Sequence, residues 1–186
     1  NIGAGVVVYQ NLSRINSAIK YKSFFALSAW KKATDHSTKF SSSIHLMGMI
    51  SNGGVHAHLD HLFAILEAIK SHKFKGPVFI HAFTDGQDVA PQSALKFISL
   101  LETKLKTLKM GKIATVSGRY YPLDKGENWD RIKKGYECLT QRIGNQAPSA
   151  EKAIRESYDK NIKDEYIDPT VIVEKNGQPV GEIKNN

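Results

Sequence analysis

Three short apolar runs, each followed by a stretch of helical periodicity, constrain this chain more than any other feature. The runs are residues 44–50, 77–83 and 112–117, and the periodic stretches are 55–73, about 91–109 and about 127–143. A strand apolar on both faces must be covered on both, and a helix crossing between two strands leaves them parallel. The expected fold is therefore α/β, with a mainly parallel sheet and helices on both faces, giving three layers. Pro91 suits a first helical position, where a missing N–H costs nothing. Outside these units, 12–20, 24–32 and 150–160 read as helices and 170–173 as a late strand. Asn176-Gly177, between 171–175 and 178–183, has the composition of a tight hairpin.

The chain has 186 residues, 41% hydrophobic and 24% charged, which suits a single domain over 1–186 with a true core. No apolar run reaches the roughly 18 residues that a membrane span needs, and no signal peptide is visible. The chain opens on Asn1-Ile2-Gly3-Ala4-Gly5 without an initiator Met and reads as a piece of a longer protein. A lone Cys138 rules out an internal disulfide, fits a reducing compartment and points to the cytoplasm. Within a helical pattern it reads as a small packing residue, not a nucleophile.

The formal charge is +8 and the pI about 9.5, which suits an anionic partner. The lysines are spread along the chain with no block of five or six, so a solvated basic surface is favoured over a nucleic-acid or membrane partner. Lys104, Lys106, Lys109 and Lys112 come nearest to a cluster, at the polar end of one helix and the loop after it.

In open α/β sheets, ligands bind beyond the carboxyl ends of the strands. The loops that follow the three strands, 51–58, 84–88 and 118–125, should converge there, and they hold most of the chemistry-bearing residues. The first carries His56-Ala57-His58-Leu59-Asp60-His61. Its His-x-His-x-Asp-His spacing is the one metallo-β-lactamase-like hydrolases use for a zinc site that activates water. The competing reading leaves His58, Asp60 and His61 on a helix surface. It gives only His56 a task, at a helix start suited to phosphate, after Gly53-Gly54, which let backbone approach an anion. The second loop carries Asp85-Gly86-Gln87-Asp88. Asp85 reads as a turn residue, while Asp88 reads equally as a helix cap or as a general acid/base at a strand end. The third carries Arg119, well placed after a strand to clamp a phosphate or carboxylate, and Lys125, read alone as a surface cation.

The three loops, in this order, resemble cofactor-independent phosphoglycerate mutase. That family shows Asp-Gly-Gly-Val-His-Ser-His where this chain has Asn52-Gly53-Gly54-Val55-His56-Ala57-His58. It shows His-x-Phe-x-Asp-Gly-Arg-Asp where this chain has 81–88, and Gly-Arg-Tyr-Tyr-x-Met-Asp-Arg-Asp before a Trp where this chain has 118–126 and Trp129. Its Asn-Ile-Gly-Ala-Gly-Arg matches Asn1 to Gly5, and its Pro-Thr-Val-Ile matches Pro169-Thr170-Val171-Ile172. The resemblance spans essentially the whole chain.

It implies the second, inserted domain of a two-domain enzyme that interconverts 3-phosphoglycerate and 2-phosphoglycerate through a phosphoserine. The serine and two divalent metal ions, typically manganese, would belong to the other domain, with residues 1–6 as the junction and no metal bound by this chain. The partners implied are the phosphoglycerate and that metal-bearing domain. Residue by residue, the resemblance makes His56 a contact of the transferring phosphate and Asp88 the acid/base. It makes Arg119 a holder of substrate carboxylate or phosphate, and it puts Gln87 and Lys125 at binding positions. Gln87 and Lys125 each stand where the family has Arg; Asn52 replaces Asp and Val6 replaces Arg. The family's Phe-Arg-Ala-Asp-Arg motif is absent. Taken alone, the chain is expected not to turn over. Two rivals remain: the zinc hydrolase on His56, His58, Asp60 and His61, and a non-catalytic module, either a degenerate mutase domain or a basic nucleic-acid binder.

Overall fold

A computed structural model describes Gly3 and residues 5–183. One five-stranded sheet runs through it, in the order β1-β2-β3-β5-β4: β1 (Ile44–Met49), β2 (Val78–Thr84), β3 (Lys112–Gly118), β4 (Asn145–Ala147) and β5 (Thr170–Ile172). β1, β2 and β3 are parallel, with Ile44 opposite Val78 and Phe79 opposite Lys112. β5 runs antiparallel to β3 and parallel to β4. The helices are α1 (Asn11–Lys20), α2 (Ser28–Lys39), α3 (Leu59–Ser71), α4 (Ala94–Leu108), α5 (Trp129–Gln141) and α6 (Ala150–Asp159). The expected α/β architecture, a mainly parallel sheet between helical layers, is the one found.

Helical spacing explains the main core. α3 turns Leu59, Leu66 and Ile69 inward, and α4 turns Phe97, Ile98, Leu101 and Leu105 inward. Both meet Val78, Ile80, Ala82 and Val116 of the sheet, and α6 adds Ala153 and Ile154. Each fully buried aliphatic side chain here contributes roughly 1.5–3 kcal/mol. α5 packs on β3 and β5, burying Gly135 and Cys138. Burial pushes the Cys138 thiol up to about 12, so it stays a packed, protonated side chain, as its helical setting suggested.

Several local expectations are corrected. The stretch 24–32 is two elements: a 3₁₀ turn, Ser23–Ala26, then α2, separated by Leu27 in an extended conformation. The indole of Trp30 donates to the Phe24 carbonyl at 2.7 Å and fixes that break. α2 runs on to Lys39 although 33–39 is polar. Thr34 and Thr38 donate their hydroxyls to carbonyls one turn back, at 2.9 and 2.7 Å, so both are satisfied inside the helix. α3 starts at Leu59 and not near 55, because Gly54 takes φ +74 and 55–56 form a bend. α4 starts at Ala94, three residues after Pro91. The turn at Asn176-Gly177 forms, with Gly177 donating to Glu174 at 2.8 Å, but its second arm pairs only through the isolated Val173–Pro179 bridge. β4 carries no apolar pattern in sequence and is created by its pairing with β5.

Of the expected junction, residues 1, 2 and 4 lie outside the described residues. Val6, Val7, Val8 and Tyr9 are largely exposed. No helix among the described residues is long and apolar enough to cross a membrane.

Candidate functional site

The carboxyl ends of β1, β2 and β3 end side by side, and their three loops meet as the strand pattern requires. Asp85, fully buried after β2, is the hub. Its Oδ1 accepts the backbone N–H groups of Gln87 and Asp88 at 3.2 and 3.0 Å, which makes the turn the sequence suggested. Its Oδ2 accepts the Ser51 hydroxyl at 2.7 Å, tying in the first loop. Arg119 Nη1 donates to Asp85 Oδ1 at 2.8 Å and to Asp88 Oδ2 at 2.9 Å, tying in the third. Burial alone would raise the Asp85 carboxyl, but the bonds from Ser51, the Asp88 and Gln87 amides and Arg119 outweigh it and hold it below the usual range. Burial likewise opposes the charge on Arg119, and its bonds to Asp85 and Asp88 outweigh that and raise it.

Asp88 is set apart from Asp85 by exposure. Its side chain is 19% exposed against 1% for Asp85. Oδ2 is held by Arg119, and Oδ1 has no protein partner among the described residues. Gly53, in the first loop, lies against it: a Cβ there would come within 2.8 Å of the Asp88 Cβ. Gly53 therefore allows close approach of the first loop to a carboxylate-bearing turn, while Gly54 lies against Leu12 and His58.

A segment with no functional signature in sequence, 164–167, locks this arrangement. Asp164 is fully buried and accepts the backbone N–H groups of Ser93 and Ala94, both at 2.9 Å, so it caps α4 from 70 residues away. It also accepts the Tyr158 hydroxyl. Burial raises the Asp164 carboxyl, and these bonds only partly offset that. Thr84, at the end of β2, donates its hydroxyl to the Asp164 carbonyl at 2.6 Å. Tyr120 N donates to the Glu165 carbonyl at 3.1 Å and Gly118 N to the Ile167 carbonyl at 2.7 Å. A Cβ at Gly118 would sit 2.1 Å from the Glu165 carbonyl oxygen, so only glycine admits the contact. Residues 164–167 thus buckle the loops after β2 and β3 together. Nothing in the polar run Lys163-Asp164-Glu165 marks that role.

The remaining expected residues fall outside this hub. Gln87 donates its amide to the Glu165 carboxylate, and no hydrogen bond among the described residues links it to Arg119. Lys125 is exposed at the tip of 124–128, a loop built on Asp124, which accepts from Asn128 N at 2.8 Å, Gly126 N at 3.0 Å and Arg131 at 3.1 Å. Those bonds, led by the Asn128 amide, hold the Asp124 carboxyl low. His56 is exposed in the bend before α3, not at the helix start, and no hydrogen bond or ion pair links it to Asp88 or Arg119. It borders a largely apolar cavity of about 540 Å³ beside β1, shared with Trp30, Met47, His58 and His61.

The zinc reading fails on side-chain direction. His58 spends Nδ1 capping α3, accepting from Asp60 N at 3.2 Å. His61 Nε2 is taken by Asn16 Oδ1 at 2.7 Å, and Asp60 points outward, exposed. Among the described residues no three His, Cys, Asp or Glu side chains are grouped to hold a metal ion.

The comparisons with known proteins agree with one another. Residues 15–186 match the family described as BPG-independent PGAM N-terminus (iPGM_N). The 2,3-bisphosphoglycerate-independent phosphoglycerate mutase of Clostridium perfringens is 47% identical over 185 residues, which is 100% of this chain and 36% of that protein. The enzyme of the same name from Acetivibrio thermocellus is 44% identical over 186 residues, again 36% of its length. A crystal structure of Leishmania mexicana phosphoglycerate mutase, at low cobalt concentration, superposes with a TM-score of 0.88 at 26% identity, covering 97% of this chain and 34% of that one. The chain therefore spans about a third of the length of the relatives it matches. It belongs to the BPG-independent phosphoglycerate mutase N-terminal family.

Proposed function

We propose that this chain is the substrate-binding and proton-transfer domain of a phosphoglycerate mutase that interconverts 3-phosphoglycerate and 2-phosphoglycerate. The observation that carries the reading is the Arg119–Asp88 pair where three loops converge: a partly exposed carboxylate with one oxygen held and the other unpartnered. A fixed carboxylate within reach of both glycerate hydroxyls can take the proton of the hydroxyl that receives the phosphoryl group and pass it to the oxygen that gives the group up. Arg119 orients Asp88 through Nη1, and its remaining nitrogens are the donors for a substrate carboxylate or phosphate. Asp85 keeps Arg119 in place. His56, Gln87 and Lys125 contribute contacts from the rim, with His56 toward the transferring phosphate.

The rest of the reaction is assigned to a second domain of the same protein, outside this chain. It supplies the serine that carries the phosphoryl group and two divalent metal ions, manganese. Among the described residues, carboxylates and histidines do not form a metal cage, and no step here runs through one. The junction to that domain is residues 1–6. A cytoplasmic site of action is part of the same reading, supported by the chain's use of a single, buried cysteine.

Asp88→Asn in the full-length enzyme, assayed in both directions, tests the assignment. Loss of an acid/base should lower kcat by about 10²–10⁴ with the fold intact. A rate within a few-fold of wild type would remove Asp88 from the chemistry.

A further inference from the structure

At the opposite pole of the sheet, where β2 and β3 begin, lies a wider groove of about 1200 Å³. The helix ends and connections that lead into β2 and β3 form its banks. The end of α3 and its connection to β2 contribute Lys70, Lys73 and Lys75, and the end of α4, its connection and the first residue of β3 contribute Lys106, Lys109 and Lys112. Against these six cations the lining holds one acid, Glu102. Two of the six are engaged: Lys70 donates to the Leu108 carbonyl at 2.8 Å, and Lys112 pairs with Glu174 at 2.7 Å. Lys73, Lys75, Lys106 and Lys109, two on each bank, are exposed and have no side-chain partner among the described residues. The amino end of α6, with Ser149 and Ala150, closes one edge and adds the positive end of a helix dipole.

We propose that this groove is a second anion site, separate from the Asp88–Arg119 hub, and that its ligand is a linear oligophosphate, free or carried on a nucleoside. Facing banks of unpaired ammonium groups suit an anion whose charges are spread along a chain. A single tetrahedral anion is held better by a small set of fixed N–H donors than by ammonium groups on long, flexible stems. Lysine also suits this role because its charge is compact and its stem flexible, so it tracks a phosphate chain without fixed geometry. The hydrophobic floor, which includes Phe79 and Val180, both partly buried, offers a surface for a base should the chain carry one.

The test is calorimetric titration of the full-length protein with tripolyphosphate, ATP and adenosine, at low salt and with saturating 3-phosphoglycerate present to occupy the hub. Tripolyphosphate and ATP should both bind, and adenosine should not. Equal affinities identify the phosphate chain as the whole determinant, and tighter ATP identifies a nucleotide. Raising salt to physiological strength should weaken both. The double variant Lys73→Glu, Lys109→Glu should weaken tripolyphosphate by about tenfold or more, since it reverses one cation on each bank. Lys75→Gln with Lys106→Gln should weaken it by a smaller factor while leaving the thermal melt unchanged. Absence of tripolyphosphate binding, or binding indifferent to both double variants, overturns the proposal. So does binding confined to an oligonucleotide that tripolyphosphate fails to displace.

Discussion

Gln87 is where a single residue separates this chain from the pattern it otherwise follows. The resemblance puts an arginine there, and the structure holds the shorter amide against Glu165. An arginine at 87 would keep a partner in Glu165 and add charged donors at the rim of the Asp88 pocket. In the full-length enzyme Gln87→Arg should strengthen phosphoglycerate binding by roughly 1.5–3 kcal/mol, read as a fall in KM of about tenfold or more. An unchanged KM would mean that position 87 does not face the substrate. Residues also divide by how visible they were. His56, Asp88 and Arg119 stood out because a charged or imidazole side chain at a strand end is legible in sequence. Asp85 was read as a turn, which it makes, but its bonds to Ser51 and Arg119 join residues 34 positions away on either side. No local pattern encodes those.

At the scale of elements, two devices hold the site in register. The first is the buckle at 164–167. Asp164→Ala would leave the buried Ala94 amide and the partly buried Ser93 amide and Tyr158 hydroxyl without their partner. Denaturant unfolding should show a loss of about 2–4 kcal/mol. A loss under about 0.5 kcal/mol, the range of ordinary surface substitutions, would remove the buckle from the fold's stability. The second is a side-chain ladder across β1, β2 and β3. His45 Nδ1 and His81 Nε2 lie 3.0 Å apart, and His81 Nδ1 lies 3.0 Å from the Thr115 hydroxyl. Burial, and then the neighbouring His45, lowers His81 from 6.5 to about 4, and burial lowers His45 as well. Because the unfolded chain takes up these protons first, stability is complete above 6.5 and is lost as pH falls from there towards about 4. His81 accounts for up to about 3 kcal/mol of that loss. Melting temperature should therefore drop through this window, and His81→Gln should flatten the drop. A wild-type profile already flat there would contradict the ladder's role.

For the whole molecule, the two ends of the sheet carry different chemistry. One end joins acids, an arginine and glycines in converging loops, and the other carries unpaired lysines across an open groove. The net charge of +8 had been read as a dispersed basic surface, and part of it is instead gathered at one pole. Lys106, Lys109 and Lys112 were visible as a loose cluster in sequence. Lys70, Lys73 and Lys75 join them only because β2 and β3 are neighbours. Since the chain is about a third of its relatives' length, residues 1–186 supplied with phosphoglycerate should show no turnover. Activity above background from this chain alone would return the nucleophile to it.

The sequence by itself determined the order of strands and helices through β3 and α5, the parallel pairing of β1 to β3, and the three loops that meet beyond their carboxyl ends. These follow from apolar periodicity and from the direction in which strands emerge, both of which are local. Tertiary structure alone decided the capping of α4 by Asp164, the tie of Asp85 to Arg119, the use of His58 and His61 within the fold, and the creation of β4 from a stretch with no strand signal. Each of these rests on a hydrogen bond or pairing between residues far apart in the chain, and long-range partners leave no trace in the periodicity of either segment.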